Sequence, residues 1–83
     1  MNITVRYFAS IREAMGTSSE SLTTTATTVG ALREELMARS EAAANALAHG
    51  KAVRMALNQE MCQGDAALKA GDEVAFLPPV NRG

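Results

Sequence analysis

The sequence predicts an α+β domain, a mixed sheet packed on one principal helix plus short helices. Three observations predict it. Apolar residues alternate with polar ones near both ends of the chain, as in half-buried strands. A single long stretch after Thr28 has helical spacing instead. No repeat, low-complexity linker or composition shift divides the 83 residues, so residues 1–83 read as one domain with residues 78–83 as an extended tail. A chain of this size buries only about 60% of the surface its unfolded form exposes, so it depends on regular packing.

The elements follow in order. Ile3, Val5 and Tyr7 share the core face of a first strand, which turns Phe8 to the polar face beside Arg6. Ser10-Ile-Arg-Glu13 has the form of a capping box, so a short helix is expected with Ser10 as its N-cap and Gly16 as its stop. Ser19 to Thr25, with Leu22 central among threonines, reads as a weak, edge-like strand. Thr28 is a good N-cap for the longest helix, whose Val29, Leu32, Leu36 and Met37 face the core while Glu34 and Glu35 face solvent. Ser40 and Glu41 mark a break. The alanine-rich run to Ala48 then reads as a surface helix closed by Gly50.

Alternation returns from Ala52 to Asn58, with Val53, Met55 and Leu57 on one face, followed by a turn and a brief strand at Met61 to Gln63. Gly64-Asp65 and Ala70-Gly71-Asp72 are turn signals. In the last strand Val74 and Phe76 point to the core, and Ala75 and Leu77 point outward.

Composition excludes several classes of function. A net charge of −1 with no basic cluster argues against nucleic acid as a partner. The lone Cys62 excludes an internal disulfide or a cysteine-based metal cage, and fits a reducing, cytoplasmic setting. No signal peptide or membrane-length apolar run is visible, so no membrane association is expected. His49 stands alone beside a predicted helix end, where the dipole explains it; Asp65 and Asp72 read as turn residues. No metal site, no bound cofactor and no acid–base set is expected.

What remains is the outer sheet face and the tail. Phe8, Ala75 and Leu77 share the face opposite the core, with Met61 near that sheet's end. Several apolar residues on one face suggest a partner surface, unless the alanine-rich helix covers them. Pro78-Pro79 ends sheet pairing and holds the chain extended, and the segment from Pro78 onward could reach roughly 20 Å if fully stretched, at about 3.3–3.6 Å per residue. Gly83, with no Cβ, presents a bare carboxylate. Such a spacer suits a protein whose own terminus reacts, although an ordinary frayed terminus has the same outline.

Tyr7-Phe-Ala-Ser-Ile-Arg-Glu13, Thr28-Val29…Leu32…Leu36, Ala56-Leu-Asn58 and above all Gly71-Asp-Glu-Val-Ala-Phe-Leu-Pro-Pro-Val80 together resemble the small subunits of molybdopterin synthase. These are MoaD-type sulfur carriers of the ubiquitin-like β-grasp class, and the resemblance covers nearly the whole chain. It implies a non-catalytic carrier whose Gly83 carboxylate is adenylated by an ATP-using partner similar to ubiquitin-activating enzymes and converted to a thiocarboxylate. It implies further that Pro79, Val80, Asn81 and Arg82 enter the large synthase subunit, where sulfur passes to cyclic pyranopterin monophosphate during molybdenum cofactor biosynthesis. Phe8, Met61 and Leu77 match apolar positions used against partners, and the assembly implied is a heterotetramer of two small and two large subunits. The sequence departs from the family's usual Gly-Gly ending at Arg82. Partners widened to fit that side chain, a poorly activated copy, or a divergent carrier or interaction module with a non-reactive tail would each accommodate it.

Overall fold

The computed structural model describes residues 1–79. Its elements are β1 (Asn2–Tyr7), α1 (Ala9–Met15), β2 (Ser19–Thr23), α2 (Val29–Arg39), α3 (Glu41–Ala46), a 3-10 turn (His49–Lys51), β3 (Arg54–Leu57), β4 (Glu60–Cys62) and β5 (Glu73–Leu77). The strands form one mixed sheet in the order β2-β1-β5-β3-β4. The first and last strands lie side by side in parallel, and every other pairing is antiparallel. This is the α+β arrangement that the patterning predicts, and the β-grasp order that the resemblance implies.

Alternation makes the core. Ile3, Val5, Tyr7, Val74 and Phe76 send side chains to one face, where Val29, Leu32 and Leu36 of α2 join them; all eight are buried. The Tyr7 and Phe76 rings stack with centroids 6.3 Å apart. Burying a large apolar side chain fully is worth about 1.5–3 kcal/mol, so these residues carry the fold. Tyr7 keeps a polar handle at the sheet edge: its hydroxyl donates to Glu20 at 2.8 Å, and Arg39 donates to both oxygens of the same carboxylate at 2.9 Å. Burial and the neighbouring Glu20 push the Tyr7 hydroxyl well above its ordinary pKa.

The predicted caps divide. The Thr28 hydroxyl accepts the Ala31 N–H at 3.1 Å, and Gly16 ends α1 at φ 77°. Ser40 caps α3 through Ala43 N at 3.1 Å. Ser10, however, is inside α1 and not its N-cap. Phe8 holds that position without a side-chain bond, because β1 runs straight into the helix through a left-handed Ala9 at φ 49°. The second strand ends at Thr23 and not Thr25: Thr24 turns inward, donates to Glu35 at 2.7 Å and accepts from Ala26 N at 3.0 Å. Glu35 is accordingly half-buried.

The alanine-rich run is not a surface helix. Ala43, Ala46 and Leu47 are buried as α3 packs on α1 and α2, because methyl groups permit close helix approach. Gly50 does not close it either; Leu47 is its C-cap, and Gly50 lies in the 3-10 turn. The sequence reading also missed Arg33. Buried on α2, it donates from Nε to the Leu47 carbonyl at 2.8 Å and from Nη2 to the Ala48 carbonyl at 3.0 Å, tying the end of α3 to α2. Burial lowers its pKa, with Glu34 acting in the opposite sense.

One clasp fixes where β5 begins. Asn58 and Gln59, at φ 51° and 72°, form the tight turn from β3 to β4. Asn58 donates to Asp72 at 3.0 Å and accepts from Glu73 N at 3.0 Å, while Asp72 also accepts from Lys69 N at 2.8 Å. The Asn58 amide and then the Lys69 N–H hold the Asp72 carboxyl below its usual range. A carboxylate depressed in the folded state stabilises above its unfolded pKa of about 3.9, and that contribution is lost as pH falls through the folded value. Asp72→Asn is therefore expected to melt lower than wild type at neutral pH, with the gap narrowing below about pH 4. A gap that stays constant across thermal melts at each pH would show that the carboxylate's charge is not what the clasp uses.

Candidate functional site

The register brings the outward apolar residues together. Ala75 of β5 lies between Arg6 of β1 and Ala56 of β3, and Ala56 in turn faces Met61 of β4. One row further along, Leu77 is opposite Arg54, and the Phe8 N–H donates to the Phe76 carbonyl at 3.2 Å, which sets Phe8 beside Leu77. Phe8, Leu77 and Met61 thus border one outer face. Met61 is 52% exposed, whereas Phe8 and Leu77 are half-buried.

Ala75 faces outward as expected, yet it is buried, since its short methyl sits below the longer side chains of flanking strands. With Ala56 it makes a shallow floor between Phe8, Leu77 and Met61. The alternative in which the alanine-rich helix covers this face does not hold, because α3 packs within the helical layer on the other side of the sheet.

Beyond Leu77 the chain leaves the sheet at the same end as Phe8. Pro78 is half-buried and Pro79 exposed, so the last described residue emerges beside the apolar face. Val80, Asn81, Arg82 and Gly83 lie outside the described residues.

His49 pairs with Glu34 of α2 on the surface. Cys62 is half-buried, and its thiol pKa is pushed up first by burial and then by Asp65, which leaves it less nucleophilic than a free thiol. Among the described residues no three His, Cys, Asp or Glu side chains converge as a metal site would require. No helix among them is long and apolar enough to cross a membrane.

A five-stranded β-grasp sheet with its final strand central and a Pro-Pro exit beside an apolar face coincides with a family match. The model of the ThiS family matches residues 5–81. The chain belongs to that family. It is 43% identical over 81 residues to the molybdopterin synthase sulfur carrier subunit of Escherichia coli, spanning 98% of this chain and 99% of that one. Its fold is similar to that of a Helicobacter pylori chain solved as a complex of subunits 1 and 2 of molybdopterin-converting factor, with a TM-score of 0.70, 28% identity and full coverage of both chains. It is similar also to the small archaeal modifier protein 1 of Haloferax volcanii, with a TM-score of 0.75 and 25% identity over 95% of this chain and 98% of that one.

Proposed function

We propose that this chain is the sulfur-carrier subunit of a molybdopterin synthase and acts in molybdenum cofactor biosynthesis. The observation that carries the reading is the end-to-end similarity, at 43% identity, to a carrier subunit of that name. The outer face supports it physically, since Phe8, Leu77 and Met61 border a shallow apolar surface at the point where the chain departs. The partner is the large synthase subunit, as the Helicobacter pylori complex of two converting-factor subunits suggests. Two small and two large subunits make the assembly, and its setting is the cytoplasm.

The chemistry proposed is the one that the family resemblance implies. A carboxylate is a poor acyl donor, so Gly83 first reacts with ATP on an adenylyltransferase of the ubiquitin-activating type, releasing pyrophosphate and forming an acyl adenylate. Hydrosulfide, or a sulfide equivalent from the donor, then attacks the acyl carbon and displaces AMP, leaving a thiocarboxylate at Gly83. Pro79, Val80, Asn81 and Arg82 carry that group into the large subunit, where sulfur passes to cyclic pyranopterin monophosphate. The folded body supplies presentation and no acid–base groups. The chain holds no cofactor in this scheme, because ATP is bound by the activating partner. Arg82 places a long cation next to the reactive terminus, and a carboxylate in the receiving channel would accommodate it.

Intact-mass measurement after incubation with the activating enzyme of the same organism, ATP and a sulfur donor tests the proposal. An oxygen-to-sulfur exchange that fragmentation places at Gly83 is expected. An unchanged mass with an activating enzyme proven active on its own substrate would exclude the carrier role and leave a binding module.

A further inference from the structure

The docking face carries two cations that an apolar contact does not need. Arg6 of β1 lies opposite Ala75, and Arg54 of β3 lies opposite Leu77, so a guanidinium stands on each side of β5. Arg6 is exposed, with its Cζ 5.3 Å from the centre of the Phe8 ring, which stacks it against one corner of the apolar surface. Arg54 lines a surface depression together with Met61 and Gln63, at the opposite corner.

Their charges are poorly matched within the chain. Among the described residues the one carboxylate within ion-pair range of either guanidinium is Glu73, 4.0 Å from Arg6 and partly exposed like it. A pair of that length and exposure contributes little. The neighbouring edge strand adds no charge on this face, because Ser19, Ser21 and Thr23 are the β2 residues opposite Arg6, Thr4 and Asn2. The whole chain carries a net charge of −1, so this face runs against the molecule's overall sign.

We propose that Arg6 and Arg54 are specificity-determining residues that select a large synthase subunit presenting carboxylates around an apolar contact. The inference rests on the docking reading of the preceding subsection and adds the charge of the partner's rim. The central apolar groups govern how long a complex lasts, whereas rim charges govern how fast it forms and which partners are rejected. Two guanidiniums about the exit strand also fix orientation, since a planar fork matches a carboxylate bidentately where an ammonium does not.

The test is the association rate of the full chain with the large subunit of its own organism, measured between about 0.01 and 1 M salt, over which the Debye length falls from about 30 Å to about 3 Å. The wild-type rate is expected to drop steeply with salt. A double variant, Arg6→Gln with Arg54→Gln, should associate at least about tenfold more slowly at the low-salt end and lose most of the salt dependence, with dissociation little changed. Arg6→Lys with Arg54→Lys should restore the salt dependence. Met61→Ser should speed dissociation at every salt concentration. Circular dichroism and melting establish that each variant is folded. A Gln variant with wild-type rate and salt slope, while Met61→Ser still dissociates faster, overturns the acidic rim and leaves the docking face standing. No effect of either change, or no binding by wild type, overturns the docking reading and this inference with it.

Discussion

Deleting Gly83 is expected to abolish thiocarboxylate formation while leaving the melting temperature unchanged. The two halves of this result come from different parts of the chain. Among the described residues the core runs from Ile3 to Phe76, and the ladder closes at Leu77, six positions before Gly83 in the sequence. Deletion moves the terminal carboxylate onto Arg82, whose Cβ and long side chain would crowd the oxygen that takes the adenylate and the carbon that sulfur then attacks. Glycine at that position leaves both faces of the carboxylate open, and no other residue type does so. Mass spectrometry of the activation reaction and a thermal melt, run on the same preparation, read the two halves separately. A shortened chain that still acquires sulfur would mean that the activating partner does not require terminal glycine. One that melts lower would mean that the tail packs on the body.

Arg33→Ala has the largest expected effect on stability, a loss of about 2–4 kcal/mol. The guanidinium supplies two charge-assisted bonds to the carbonyls of Leu47 and Ala48, which follow α3; the Ala48 carbonyl also accepts the Lys51 N–H at 3.0 Å, so the Leu47 carbonyl depends on Arg33 the more. Truncation removes the donor to the Leu47 carbonyl, opens a cavity beside the buried Leu47, and leaves the end of α3 held to α2 by apolar contacts. At about 4–8 °C per kcal/mol for a domain of this size, the melting temperature should fall by roughly 10 °C or more. Arg33→Lys should recover only part of it, since one ammonium does not reproduce the fork. Chemical denaturation gives the free energy directly, and a change below about 1 kcal/mol would place the linkage elsewhere.

These two residues mark what was legible in the sequence. Strand faces were readable because alternation is local: Ile3, Val5, Tyr7, Val74 and Phe76 are all buried as their parity requires. Thr28 and Gly16 were readable because caps depend on a few neighbouring dihedrals. Ser10 misled, since a capping pattern says nothing of a strand that feeds directly into the helix through Ala9. The burial of α3 was not readable, because alanine suits an exposed helix and a closely packed one equally well. Arg33 left no signal; a cation on an amphipathic helix reads as solvated unless the carbonyls that receive it are known. On the outer sheet face, parity turned Phe8 and Leu77 outward, but that Met61 borders the same face required the order of strands, which alternation does not encode.

The parallel seam between β1 and β5 has a consequence for synthesis. The strand made last must slot into the middle of the sheet beside the strand made first, with β3 on its other flank. A nascent chain still short of Glu73 has β2-β1 and β3-β4 as separate ribbons, and the apolar surface between them has no floor. The site where the tail departs comes into being only when translation of the strand before it is complete. A chain released before that point therefore lacks the complete outer face.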